Sequence, residues 1–154
     1  MRPILVPSDA VAGIDRMARK RPKVWQGVHL DTRPVLPDAD EKRAIIDACE
    51  TFIRDVLKPR FLPEIRPTRF NYPIDIRGEW RAGRYRFIQR FRSGMEGNAG
   101  AEFDAPFTRL DHMGPDRFDI YWMRHTGQWW PLFHGLTLAE SLRSIEEDGH
   151  LHPS

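Results

Sequence analysis

The stretch RFNYPIDIRGEWRAGRYRFIQRFR, residues 69–92, decides the fold. In its first half Phe70, Tyr72, Ile74 and Ile76 alternate with Arg69, Asn71, Pro73, Asp75 and Arg77. After Gly78-Glu79-Trp80-Arg81-Ala82-Gly83, the pattern resumes, with Tyr85, Phe87 and Phe91 alternating with Arg84, Arg86, Arg90 and Arg92. Neighbouring residues of a strand point to opposite faces. Two period-two runs about a glycine-bounded connection therefore predict a β-hairpin, rings on its buried face and guanidinium groups on the other. Pro73 has no N–H for a ladder, which places the first strand at a sheet edge or at a bulge. Like charges opposed across strands repel. The arginine face must be offset by Asp75, Glu79 and the acidic C-terminal half, or by a bound anion.

Upstream, Asp38 precedes Glu41 by three, the spacing of a capping pair. Ile45, Ala48, Cys49, Phe52, Ile53, Val56 and Leu57 then recur at three and four, one helical stripe that Lys58-Pro59 is expected to end. Cys49 lies in that stripe and reads as a small buried hydrophobe. Before it, Ser8 can cap a short helix over Val11, Ile14, Met17 and Ala18, ended at Pro22, and Val24 to Leu30 reads as an extended arm. The expected division is an N-terminal arm, residues 1–37, and one domain, residues 38–154.

Downstream, Ser93 to Pro106 reads as a long loop with Gly94, Gly97 and Gly100. Phe107 to Met113 is a third strand, Gly114-Pro115-Asp116 a turn, and Arg117 to His125 a fourth strand, apolar on both sides. Gln128-Trp129-Trp130 is a fifth strand cut short by Pro131, and Trp129 and Trp130 must face opposite sides of it. Thr137 and Glu140 form a capping box for a last helix with Leu138, Leu142 and Ile145 on its apolar side, and the tail carrying His150 and His152 is expected to fray. The order of elements gives an α+β fold: an antiparallel sheet of four to five strands, with N- and C-terminal helices flanking one face, plus the N-terminal arm.

Composition bounds the function. A chain of 154 residues, 40% hydrophobic and 30% charged, is long enough to bury one core. No apolar run reaches membrane-spanning length, and the run after Met1 is too short for a signal peptide, so a cytoplasmic protein is expected. A single cysteine excludes an intramolecular disulfide and a multi-cysteine metal site. Charge is uneven: residues 54–92 carry 11 basic and 4 acidic side chains, residues 93–154 carry 4 and 10. Complementary halves of one fold explain that split better than a free basic surface does. Arginine outnumbers lysine 20 to 4, which suits bidentate anion contacts.

The string Ile120-Tyr121-Trp122-Met123-Arg124, followed by Trp129 or Trp130 and an acidic helix, resembles the bacterial domain-of-unknown-function family numbered 3024. The helix with Phe52-Ile53 and the hairpin from Tyr72 to Phe91 stand in the same order, so the likeness covers about residues 41–150. The chain departs in its N-terminal forty residues, in the Ser93 to Pro106 connection and in its His150 to Ser154 ending, where that family closes with a Gly-Cys-Phe-type tail. The resemblance implies no activity and carries over no catalytic residue.

The candidate anion- or partner-binding residues are Arg69, Arg77, Arg84, Arg86, Arg90, Arg92, Trp129 and Trp130. A single-stranded nucleic acid needs rings and cations on one face, and here Tyr85, Phe87 and Phe91 point away from the arginines. An acidic protein surface or a second copy of the chain is thus preferred to nucleic acid, and no membrane contact is expected. The competing reading is a hydrolase for an anionic phosphoester, using Asp104, Asp111, His112, Asp116, Asp119, His125 and His134. These show no metal-ligand spacing, the glycines form no phosphate loop, and a serine nucleophile elbow is absent. No cofactor or metal is expected, and a non-enzymatic interaction module is preferred to an enzyme.

Overall fold

A computed structural model describes residues 33–154 of the chain, so the expected helix after Ser8 and the arm at Val24 to Leu30 lie outside the described residues. Helix α1, Ala39–Phe52, starts where the capping pair predicts: Asp38 Oδ1 accepts the Glu41 N–H at 2.7 Å. It buries Ile45, Cys49 and Phe52. The helix does not stop at Lys58-Pro59. It passes through a π turn, Ile53–Leu57, in which the Lys58 N–H reaches Ile53 O, into α2, Lys58–Phe61. Pro59 falls in the first turn of α2, where a missing N–H costs least.

Five strands follow: β1 Asn71–Arg81, β2 Arg84–Ser93, β3 Glu102–Gly114, β4 Arg117–Met123 and β5 Trp129–Leu136. They form one antiparallel sheet in chain order. The β1–β2 connection is tighter than the sequence suggests. Ala82 and Gly83, at φ 51° and 83°, make a two-residue left-handed turn, and Gly78 to Arg81 continue the strand. β1 is an outer strand and also carries a register shift between Pro73 and Asp75, so Pro73 occupies both of its expected settings. The shift leaves Tyr72 opposite Arg92 and Ile76 opposite Gln89, so these two do not share a face. Phe70, expected inside, precedes the strand and is 60% exposed, with the Arg69 guanidinium 5.2 Å from its ring centre.

Two further prolines misplace strand ends. β3 begins at Glu102 rather than Phe107, because Pro106 sits at the β2–β3 register shift and a bulge needs no N–H there. β5 continues past Pro131 to Leu136, since it is an outer strand whose pairing also shifts beside that residue.

The core lies between one sheet face and the helices. Tyr85 and Phe87 are buried, with ring centres 5.1 Å apart, and Phe87 meets Phe52 of α1 edge-on at 6.3 Å. Helix α3, Leu138–Glu147, has the full Thr137/Glu140 capping box and buries Ile145 against the same face. The tail does not fray. Leu151 is fully buried, Thr108 Oγ1 donates to its carbonyl at 2.9 Å, and the Gln89 amide exchanges two 3.0 Å hydrogen bonds with the Ser154 backbone. A buried amide and a buried threonine hydroxyl require partners, and the tail supplies them.

Candidate functional site

Register places the arginines. Residues opposed in the ladders share a face, so the side of the sheet away from Tyr85 and Phe87 carries Arg77, Glu79 and Arg81 of β1 and Arg84, Arg86, Arg90 and Arg92 of β2. Glu102, Asp104, Arg109 and Asp111 of β3 continue that face, followed by Asp119 and Tyr121 of β4. Both long helices pack on the other face. Arg69 stands apart, ahead of β1.

The charges form an ordered lattice. Arg92 donates to Glu102 Oε2 at 2.8 and 3.0 Å, and Arg90 reaches Glu102 at 3.0 Å and Asp104 at 2.8 Å. Arg77 crosses over β2 to meet Asp104 at 2.6 Å. Arg86 bonds Glu79 directly opposite it, while Arg84 and Arg109 converge on Asp111 at 3.3 and 2.7 Å. Opposite charges facing across strands attract, and here they relieve the repulsion that a row of arginines creates. Asp75, also expected to serve this role, pairs instead with Lys58 of α2 at 3.0 Å. The uneven charge of the chain is thus resolved mainly between β2 and β3.

The electrostatics follow from this pairing. Arg92 and Arg90 hold the Glu102 carboxyl below the ordinary carboxylate range. Arg77, with Arg90, does the same for Asp104, and Arg86 does so for Glu79. On β4, burial pushes Asp119 the other way, against the 3.0 Å hydrogen bond that it accepts from the Gly135 N–H.

The guanidinium groups keep unused capacity. Side chains of Arg77, Arg84, Arg86, Arg90 and Arg92 are 33–41% exposed. Each carries five N–H donors, of which these ion pairs use only some. Ile88 lies buried at the centre of this face, as arginine stems laid over an apolar residue allow.

The two tryptophans divide as the strand requires. Trp129 pairs with Met123 and stands on the arginine face, where the Arg109 guanidinium lies 5.2 Å from its ring centre and 4.3 Å from that of Tyr121. Trp130 pairs with Trp122 on the opposite face, 4.9 Å beneath Arg124. The site therefore gathers five candidate arginines with Trp129, and leaves Arg69 and Trp130 elsewhere. Sequence reading missed Glu102, and named Asp104 only for the hydrolase and not as an arginine partner, because both lie in a stretch read as loop, though Glu102-Phe103-Asp104-Ala105 does alternate.

Of the acidic and histidine residues of the hydrolase reading, Asp111 and Asp119 oppose each other on β3 and β4, with His134 near Asp119. Asp104 and Asp111 belong to the lattice, while Asp116 sits in the β3–β4 turn and accepts the Leu138 N–H. His125 and His134 are exposed. His112 is buried, with Nδ1–H donating to Val35 O and Nε2 3.2 Å from Glu41 Oε2. Among the described residues, no three His, Cys, Asp or Glu side chains converge as metal ligands. Nor is any described helix long and apolar enough to cross a membrane.

A family model described as a domain of unknown function (DUF3024) matches residues 36–152. No curated protein and no solved structure matches the chain.

Proposed function

We propose, for a chain that belongs to the DUF3024 family, a non-enzymatic interaction module whose arginine-rich sheet face takes an acidic protein surface. One observation carries this reading: five half-exposed arginines share a face that both long helices leave open, with donors left over after their intramolecular pairing. Trp129 borders the same face and adds apolar contact area beside the charges.

The interleaved carboxylates favour protein over nucleic acid. Glu79, Glu102 and Asp104 lie between the arginines, and a phosphate backbone, negative all along its length, meets repulsion at each of them. A protein surface presents separate carboxylates and can avoid those positions.

The test is fluorescence anisotropy of labelled poly-glutamate and of a labelled single-stranded oligonucleotide at low salt. Poly-glutamate is expected to bind, to release as salt rises, and to lose binding in the Arg86→Glu/Arg90→Glu variant. No poly-glutamate binding would sink the proposal, and tighter oligonucleotide binding that the same variant abolishes would replace it with a nucleic-acid role.

A further inference from the structure

We infer that two copies of this chain associate through β1, edge to edge about a two-fold axis at Gly78, joining their sheets into one of ten strands. This uses the outer edge of β1, which borders the arginine face and shares Arg77 and Glu79 with it, and it does not depend on that face binding an acidic protein.

Among the described residues β1 pairs on one side only, with β2. Arg81 and Arg84 flank the two-residue turn, so Arg81, Glu79 and Arg77 direct their backbone groups to β2 while Trp80, Gly78 and Ile76 direct theirs outward. Ile76 shows the parity directly: its N–H goes to the Asp75 carboxylate at 2.9 Å, outside the ladder. A strand of 11 residues with such an edge is a template for another strand. The other outer strand, β5, is a poorer template: both strands hold a proline, but β5 is shorter and shifts register twice where β1 shifts once.

The side chains select the occupant. A two-fold axis on Gly78 sets Gly78 against Gly78 of the second copy and Ile76 against its Trp80, so outward backbone groups meet outward backbone groups. In that register Arg77 opposes Glu79 of the second copy, and Asp75 opposes its Arg81. Every charged residue from 75 to 81 thus meets its opposite, in both halves at once, as an isologous interface requires. Sliding the axis by two residues loses both pairs and leaves one other complementary pair per half, Asp75 with Arg77 for an axis at Ile76 or Glu79 with Arg81 for one at Trp80. Gly78 removes any side chain from the axis. A cavity of about 220 Å³ opens beside this edge, lined by Ile53, Arg54, Ile76 and Gly78 among others, and the register brings Trp80 of the second copy to its mouth.

Sedimentation velocity of the full chain over a concentration series tests the pairing, with the single variants Arg77→Glu and Glu79→Arg. Wild type is expected to pass from monomer to dimer. Each variant alone opposes like charges twice and should weaken association at least about tenfold. An equimolar mixture of the two variants opposes unlike charges again and should recover the dimer. A wild type monomeric throughout overturns the inference, as does a dimer that neither variant weakens or a mixture no tighter than its components. Hydrogen exchange on the unmodified chain is an independent check: the Gly78 and Trp80 amides must slow as the dimer fills, and unchanged exchange in a dimer refutes the β1 edge.

Discussion

Gly78 lies directly beneath the phenol of Tyr85: a Cβ built on Gly78 would stand 1.9 Å from Tyr85 Oη and 2.3 Å from Cζ. The ring crosses from β2 over β1 and uses the one position in that strand without a side chain. Replacing Gly78 by alanine therefore overpacks the core. The Gly78→Ala variant is expected to lose about 1–3 kcal/mol, read from the shift of its urea midpoint. A midpoint within error of wild type would show that the ring moves aside freely.

The Tyr85 hydroxyl is buried without a hydrogen-bond partner, and burial pushes its pKa up. An unsatisfied hydroxyl contributes nothing to stability that a phenylalanine would not. Tyr85→Phe should keep or gain up to about 1 kcal/mol, whereas Tyr85→Ala should lose about 3–5 kcal/mol by emptying the site. Urea melts of the two variants distinguish the hydroxyl from the ring, and a marked loss in Tyr85→Phe would contradict the unpartnered hydroxyl.

The carboxyls of Glu79, Glu102 and Asp104 titrate below their ordinary range because arginines hold them. A group with a lowered folded pKa stabilises fully above its unfolded value and loses that contribution as pH falls through the folded one. Thermal midpoints should thus fall as pH drops below about 4, the ordinary carboxylate range. The Asp104→Asn variant should show a shallower fall, and at neutral pH should melt only a few degrees lower, since exposed pairs contribute at most about 1 kcal/mol. An unchanged acid profile in Asp104→Asn would remove Asp104 from the acid response.

Asp116 combines two duties in the β3–β4 turn. Its backbone is left-handed, at φ 48°, and its Oδ1 accepts the N–H of Leu138, the first residue of α3, at 2.8 Å. Asparagine tolerates that backbone and keeps an acceptor, glycine keeps only the conformation, and alanine keeps neither. Stability in melts should fall in the order aspartate, asparagine, glycine, alanine, with about 1–2 kcal/mol lost at alanine. An alanine variant as stable as the glycine one would show that the backbone conformation costs nothing there.

Cys49 is fully buried in α1, and burial, with Glu50 nearby, pushes its thiol well above the ordinary range. The thiolate is the reacting form, so alkylation by iodoacetamide should be far slower in the folded chain than in urea. Labelling at equal rates in both states would contradict a core position.

The legible parts of this molecule are those where local chemistry and tertiary setting agree. Period-two rings from Tyr85 to Phe87, the Asp38 cap and the Thr137/Glu140 box each decide a structure within a few residues. The prolines mislead because their effect depends on neighbours: Pro59 is absorbed after a π turn, Pro106 at a bulge, and Pro131 in an outer strand. The candidate site divides similarly. The arginines are read from alternation, but their carboxylate partners depend on which β3 residue opposes which β2 residue, and the extra residue at the Phe87/Ile88 shift sets that register. The contact of Arg109 with both Tyr121 and Trp129 needs three strands in place before it exists.

The strands pair in the order in which they are written, while the two long helices that cover them come from opposite ends of the domain. During synthesis each strand can therefore join its predecessor soon after leaving the ribosome. Half of the roof is missing until Thr137 to Leu151 has emerged, so Phe118, Ile120 and Leu136 remain wet on a nearly finished sheet. The nascent chain is at its stickiest in that interval, which makes Thr137 to Leu151 the segment whose delay a chaperone would have to cover.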